Sequence, residues 1–289
     1  MNQKQFESKI RQTIKKYGLC KKKDKIFVAM SGGKDSTVVA FLLKKFGYNV
    51  HAIHINLLMG KWSDENEEDV RKFCSQYKIP LYVYSIRDEI GYAMCYVKSV
   101  LQNKQKLKQC TVCGIIRRWI LNKKAREIGA NKLVTGHNLD DEAQNVLMNL
   151  MKGNPMIGVN LGPLTGSIQD RKFVARIKPL YFMKEKDVEI YSREKKFPVL
   201  YQRCPCVVGA FRHEIRRKLD ELEKISSCVK ENLVKNFLII QKDLRKTVGK
   251  DLKYCKLCGE PSRNEICKAC KMLKEVGFKG KCSTCESCN

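Results

Sequence analysis

The stretch Lys25-Ile26-Phe27-Val28-Ala29-Met30, running straight into Ser31-Gly32-Gly33-Lys34-Asp35-Ser36, decides the fold. Its first half is an apolar run of strand length. Its second half is a glycine turn, after which Lys34 to Phe46 shows apolar residues at helical spacing. Strand, turn and helix in that order bring free backbone N–H groups and a helix N-terminus to one point, where Ser31 and Ser36 add hydroxyls. Such a loop is a phosphate cradle. It is not a Walker A loop, which would need glycine at Val28 and Ser or Thr at Asp35. A serine-capped glycine turn is the plain alternative reading of Ser-Gly-Gly alone.

Outward from this loop, strands and helices alternate. The pattern predicts strands at Val50–Leu58, Leu81–Ile86, Lys132–Gly136 and Phe173–Pro179, with helices at Ser63–Tyr77, Gly114–Ile128, Asp140–Lys152 and Lys184–Lys196. Alternation of this kind predicts an α/β domain, a doubly wound parallel sheet covered on both faces. Ligands in that architecture bind beyond the carboxyl ends of the strands, where Ser31 and Gly136 stand. Gly153–Gly166 reads as a loop, and Val207–Val248 as mostly helical with a basic face from Arg212, Arg216, Arg217 and Lys218. Residues 254–289 hold seven of the fifteen cysteines. Three parts are expected: 1–200, a helical extension 201–248, and a cysteine-rich module 249–289.

Lys plus Arg exceed Asp plus Glu by 27 in 289 residues. A polyanion is the natural partner for that excess, RNA or DNA ahead of a membrane surface. The first 25 residues carry nine Lys and Arg with Phe6, Ile10 and Ile14 at helical spacing, a basic amphipathic helix. The tract from Ile90 to Arg126 has no acidic residue between its ends, and reads as a phosphate guide or as a solvated helical face. The opening residues show no secretory h-region and no run is apolar enough to span a bilayer, so a reducing, cytoplasmic setting without membrane is expected. The cysteines are then metal ligands or core thiols.

Cys255-x2-Cys258-x8-Cys267-x2-Cys270 has the spacing of two knuckles that give four thiolates to a structural zinc ion. Cys110-Thr111-Val112-Cys113, at the start of a helix, reads as a redox pair, half a zinc site or two core thiols. Cys282, Cys285 and Cys288 fit a zinc site, a second iron–sulfur site or a redox tail. Cys20, Cys74, Cys95 and Cys228 are expected as small buried residues.

The six residues Ser31 to Ser36 match SGGxDS, and the chain resembles the PP-loop ATP pyrophosphatases, which share an adenine nucleotide alpha hydrolase-like sheet. Thr135-Gly136-His137-Asn138-Leu139-Asp140-Asp141-Glu142-Ala143 matches the TGHNxDDxA segment of the PP-loop tRNA 2-thiolation enzymes. The resemblance implies that ATP, with Mg2+, adenylates the C2 oxygen of a tRNA uridine, that pyrophosphate leaves, and that sulfur then displaces AMP. In that family a CxxC followed by glycine and basic residues, here Cys110, Cys113, Gly114, Arg117 and Arg118, joins a distant cysteine to hold a [4Fe-4S] cluster. Cys204, seven residues before Phe211-Arg212, is the matching partner, with Cys206 a competing thiol. Three cysteines leave one iron open to a sulfur ligand.

The resemblance makes Asp141 catalytic with Cys110, Cys113 and Cys204. It assigns the nucleotide to Ser31, Gly32, Gly33, Lys34, Asp35, Ser36, Gly136, His137 and Asp140, the last at the nucleotide or its metal; His54, near a predicted strand end on the binding edge, reads as a nucleotide contact or as a core or capping histidine. It implies tRNA and a sulfur donor as partners, either a thiocarboxylated ubiquitin-like protein or sulfide, and admits a homodimer. Archaeal and eukaryotic members usually carry an N-terminal zinc segment, where this sequence offers Cys20. Two rivals stand beside this reading. One is another PP-loop enzyme, such as a lysidine synthetase or ammonia-dependent ligase, with the same adenylation and no cluster. The other is a nonenzymatic zinc-containing RNA-binding protein. Cytidine is the alternative target base.

Overall fold

The computed structural model describes residues 1–105, 109–153, 158–159, 161–165, 170, 172–202, 204, 211–247 and 253–278. The chain opens with α1 (Gln3–Lys16), started by a reciprocal Asn2–Gln5 capping box, whose Phe6, Ile10 and Ile14 are buried as their spacing requires. Then come β1 (Lys25–Met30), α2 (Lys34–Lys45), β2 (Asn49–Asn56), α3 (Lys61–Gln76), β3 (Leu81–Ser85), α4 (Ile86–Ile90), α5 (Met94–Gln105), α6 (Gln109–Glu127), β4 (Lys132–Val134) and α7 (Leu139–Met151). β5 (Leu164–Thr165), β6 (Ala175–Ile177) and α8 (Glu185–Glu194) complete the α/β part; α9 (Phe211–Ile225), α10 (Val229–Thr247), the ribbon β7 (Lys253–Tyr254) and β8 (Pro261–Ser262), and α11 (Lys268–Glu275) follow.

The sheet order is β3-β2-β1-β4-β6-β5, parallel except for β5 against β6. From β1 the chain winds outward through β2 and β3, then returns to the other side of β1 as β4. That reversal makes the carboxyl ends of β1 and β4 a switch point, and Val28 paired with Val134 sets Ser31 beside Thr135 and Gly136.

Period-two burial sends Ile26, Val28 and Met30 to a core shared with α1, α2, α3 and α8, while Phe27 joins Ile53, Leu133 and the apolar faces of α5, α6 and α11. Helices α9 and α10 pack on α7 through Ile215, Leu219 and Val234 around Leu139, Ala143 and Tyr181.

The doubly wound α/β expectation therefore stands, with local shifts. β2 stops at Asn56, whose side chain accepts from the Leu58 amide and turns the chain. β3 yields at Ser85, which caps α4. Helix α6 starts five residues before the expected Gly114, so both cysteines of the CxxC lie inside it. Helices α5 and α11 and the short β5 were not anticipated. Cys74 is buried, with its thiol pushed up to about 12, but Cys95 and Cys228 are exposed rather than core residues. Among the described residues no helix is long and apolar enough to cross a membrane.

Candidate active site

The loop after β1 is built as a cradle. Ser36 donates from Oγ to the Gly33 carbonyl at 3.0 Å and accepts from the Ser31 amide at 3.2 Å, so the two serines staple the turn. The first amides of α2 have no intrahelical carbonyl to bond and remain open to an anion. Gly32 has φ +78°, and a Cβ there would sit 2.1 Å from Asn66 Oδ1. Gly136 is equally constrained: its Cβ would lie 2.7 Å from the Ser36 amide nitrogen, so β4 touches the loop backbone to backbone.

Charged groups from four elements meet at this loop. Lys34 Nζ lies 2.9 Å from Glu185 of α8 and 3.1 Å from Asp35. Asp35 Oδ1 accepts from Asn138 at 3.0 Å, and Asn138 forms a capping box with Asp141 at the start of α7. Arg212, on α9, donates to Asp141 Oδ1 at 3.0 Å and is oriented by Gln144 and Asn145. Burial pushes the Asp35 carboxyl up, with Lys34 opposing and the nearby Asp141 charge adding to the rise. A carboxylate held beside a second negative charge suits a divalent cation.

His54 and His137 are hydrogen-bonding groups whose pKa values burial lowers. His54 Nδ1 lies 2.9 Å from the Met30 carbonyl and so donates to it, which leaves Nε2 as a buried lone pair without a partner. Burial lowers its pKa. His137 Nδ1 lies 2.8 Å from Thr135 Oγ1. Burial drives His137 down to about 4, Lys178, Arg212 and Arg118 pushing the same way against Asp141.

Asp140 faces elsewhere. Lys230 of α10, itself 3% exposed, sits 2.6 Å from Asp140, 2.6 Å from Asp220 and 2.8 Å from Glu223. The second Asp140 oxygen accepts from the Glu185 amide at 2.7 Å. Asp140, expected at the nucleotide or its metal, stands here in an internal clasp in which Lys230 supplies the cation, and Asp140, Asp220 and Glu223 are also close enough together to hold a metal ion. Sequence reading also passed over Glu142, fully buried 2.8 Å from Lys178, and Lys230 itself.

On the other side of the cleft Cys110 is exposed and Cys113 is buried in the opening turns of α6. Arg117 donates to Cys113 Sγ at 3.1 Å. Gly114 leaves room for Arg118 to fold back over it, 3.5 Å from where a Cβ would be. Arg176 donates to the Arg118 carbonyl, and among the described residues no carboxylate pairs with Arg117, Arg118 or Arg176. The charges of Arg118 and Arg212 act on His137 and on each other, so these side chains lie near one another. Cys204 is half-buried; Cys206, Cys282, Cys285 and Cys288 lie outside the described residues.

The basic tract is not a uniform phosphate guide. Lys123 and Lys124 pair with Glu89, Arg126 pairs with Glu260, and Lys98 is buried beside Met59. Arg117 and Arg118 are left to face the cleft.

Cys255, Cys258, Cys267 and Cys270 hold their sulfurs within 4.8 Å of one another, the closed four-thiolate arrangement that suits a tetrahedral ion. Hydrogen bonds from the Cys267 and Cys270 thiols pull Cys258 far down and push those two up. Cys110, Cys113 and Cys204 do not converge within 4.8 Å.

A model of the PP-loop domain family matches residues 2–221. The tRNA-5-methyluridine(54) 2-sulfurtransferase of Pyrococcus horikoshii is 37% identical over 278 residues, 95% of this chain and 87% of that protein. The protein of the same name from Thermotoga maritima is 32% identical, with 94% of this chain and 88% of that protein covered. Among solved structures, the U34-tRNA thiolase of Methanococcus maripaludis with its [4Fe-4S] cluster superposes with a TM-score of 0.80 at 30% identity, over 96% of this chain and 89% of that one. The phosphate loop, the sheet that carries it and these matches place one conclusion on the chain: it belongs to the PP-loop family, alongside the tRNA 2-sulfurtransferases.

Proposed function

We propose that the protein is an ATP-dependent tRNA uridine 2-sulfurtransferase. The observation that carries this reading is the Ser31–Ser36 cradle joined through Asp35 to the Asn138–Asp141–Arg212 chain. ATP lies with its phosphates on the amides opening α2 and on Lys34, and with the His54 lone pair as an acceptor at the nucleotide. Asp35 and Asp141 hold Mg2+ at the phosphates. The uridine C2 oxygen attacks the α-phosphorus, the bond to pyrophosphate breaks, and Arg212 and Lys34 stabilise the charge that develops. Sulfur then adds at C2 and AMP leaves with the oxygen, so each turnover exchanges one oxygen for one sulfur.

Cys110, Cys113 and Cys204 would hold a [4Fe-4S] cluster, which when bound offers an iron without a cysteine to an inorganic sulfur. The Arg117 contact to Cys113 and the uncompensated Arg118 and Arg176 suit so negative a group. The Cys255, Cys258, Cys267 and Cys270 set takes Zn2+ as a structural ion. tRNA is drawn by the large positive excess, and the sulfur comes from sulfide or a thiocarboxylated carrier protein. Asp140 acts through the Lys230 clasp and positions α7.

Nucleoside mass spectrometry of tRNA from a strain lacking the gene tests this reading. Loss of a 2-thiouridine is expected. Disappearance of 5-methyl-2-thiouridine would assign position 54, and disappearance of a wobble 2-thiouridine position 34. A full set of thiolated nucleosides would refute the proposal.

A further inference from the structure

Helix α6 carries the two cysteines of the CxxC at its start and meets the four-cysteine module further along. Trp119, Asn122 and Arg126 share one face of it and all touch that module. Glu260, 4% exposed, accepts from Asn122 at 2.9 Å and from both terminal nitrogens of Arg126. The Glu260 carbonyl accepts the Cys255 amide at 2.9 Å, so one residue closes the first knuckle and grips α6. Ile115 and Trp119 pack on the four cysteines. Beyond them, Met272, Leu273 and Val276 of α11 sit in the same core as Val112, Cys113 and Ile116.

The Trp119 indole N–H is buried without a hydrogen-bond partner beside the module it packs on. A buried donor without an acceptor costs stability unless a partner is supplied, and a sulfur carrying full negative charge is such a partner. We propose that the four-cysteine module is a brace for α6. An ion on the four sulfurs would hold the module closed where Ile115 and Trp119 pack against it. The Glu260 clasp then fixes the axial and rotational setting of the helix that presents Cys110 and Cys113. Trp119 and Glu260 are positioning residues. The role assigned to the braced cysteines rests on the cluster reading given above.

The test is hydrogen–deuterium exchange of the first turns of α6 in the full chain without iron. Wild-type protein with zinc is compared with zinc-stripped protein and with Trp119→Phe and Glu260→Gln, zinc content and urea midpoint being measured for each. The brace predicts severalfold faster exchange at the start of α6 in every altered form, including whichever variant still holds zinc and keeps the wild-type midpoint. After anaerobic reconstitution, iron should leave those variants severalfold faster. Wild-type exchange at the start of α6 in a zinc-holding variant overturns the proposal. If wild-type protein accepts no iron, the cluster reading fails while the exchange result still decides the brace.

Discussion

The two cysteine sets of this chain differ in how much of each site the polypeptide builds by itself. Cys255, Cys258, Cys267 and Cys270 converge within 4.8 Å, walled by Trp119, Ile115 and Ile266. Cys110, Cys113 and Cys204 do not converge so closely; one is exposed, one buried and one half-buried, and Arg117, which no described carboxylate neutralises, contacts Cys113. A closed four-thiolate set suits a structural ion. The looser set is the one proposed above to take part in the chemistry.

Substitutions in the looser set separate the two most sharply. Cys204→Ser should abolish both iron binding and tRNA thiolation while zinc content stays at the wild-type level, and Cys206→Ser should keep iron and activity. Iron and zinc quantified in the same samples check this. Loss of iron from Cys206→Ser with retention in Cys204→Ser would reverse the ligand assignment. In the closed set, Cys258→Ser should lose zinc yet retain ATP binding.

The cradle should be independent of both sets. Lys34→Ala removes one charge-assisted contact to phosphate, worth about 1.5–3 kcal/mol, roughly a ten- to hundredfold loss of ATP affinity. Iron and zinc should be unchanged, since the loop shares no residue with either site. Calorimetry of ATP binding beside metal analysis measures it, and wild-type affinity would remove Lys34 from the site.

Lys230 supplies a further contrast, a cation site filled by the protein. Lys230→Met leaves Asp140, Asp220 and Glu223 facing one another, and breaking a buried pair costs about 3–5 kcal/mol. The folded-state pKa of Lys230 is raised by these carboxylates, so its contribution is intact at neutral pH and is lost only as pH rises through that value. In the variant, acid should narrow the deficit as the carboxylates take protons. Urea unfolding across pH reads this, and a deficit that widens in acid contradicts the clasp.

The smallest effect concerns His137. Its folded pKa of about 4 lies below the ordinary histidine value, so the unfolded chain takes the proton first and stability falls as pH drops from about 6.5 toward 4. His137→Gln should flatten that part of the stability profile.

Local chemistry made the cradle legible in sequence, because glycine, serine and helix polarity act over a few residues. The alternating pattern gave the sheet for the same reason. Helix α5 has its buried Met94, Val97 and Leu101 at clear helical spacing, but the surrounding lysines drew the reading toward a charged surface. The destination of those charges was hidden. Arg126 meets Glu260 and Lys230 meets Asp140 across long stretches of chain, and no periodicity encodes such pairs. Asp140 and Asp141 are neighbours in sequence with opposite fates, since successive side chains on a helix point in different directions.

The central claim is that one cleft joins ATP activation to sulfur transfer. Its most direct test is an anaerobic reaction of iron-reconstituted protein with unmodified tRNA, ATP and sulfide, with the tRNA digested and its nucleosides weighed. A 2-thiouridine formed in step with AMP and pyrophosphate is the predicted result. AMP and pyrophosphate formed without sulfur in the tRNA, or sulfur incorporated without ATP, would contradict it.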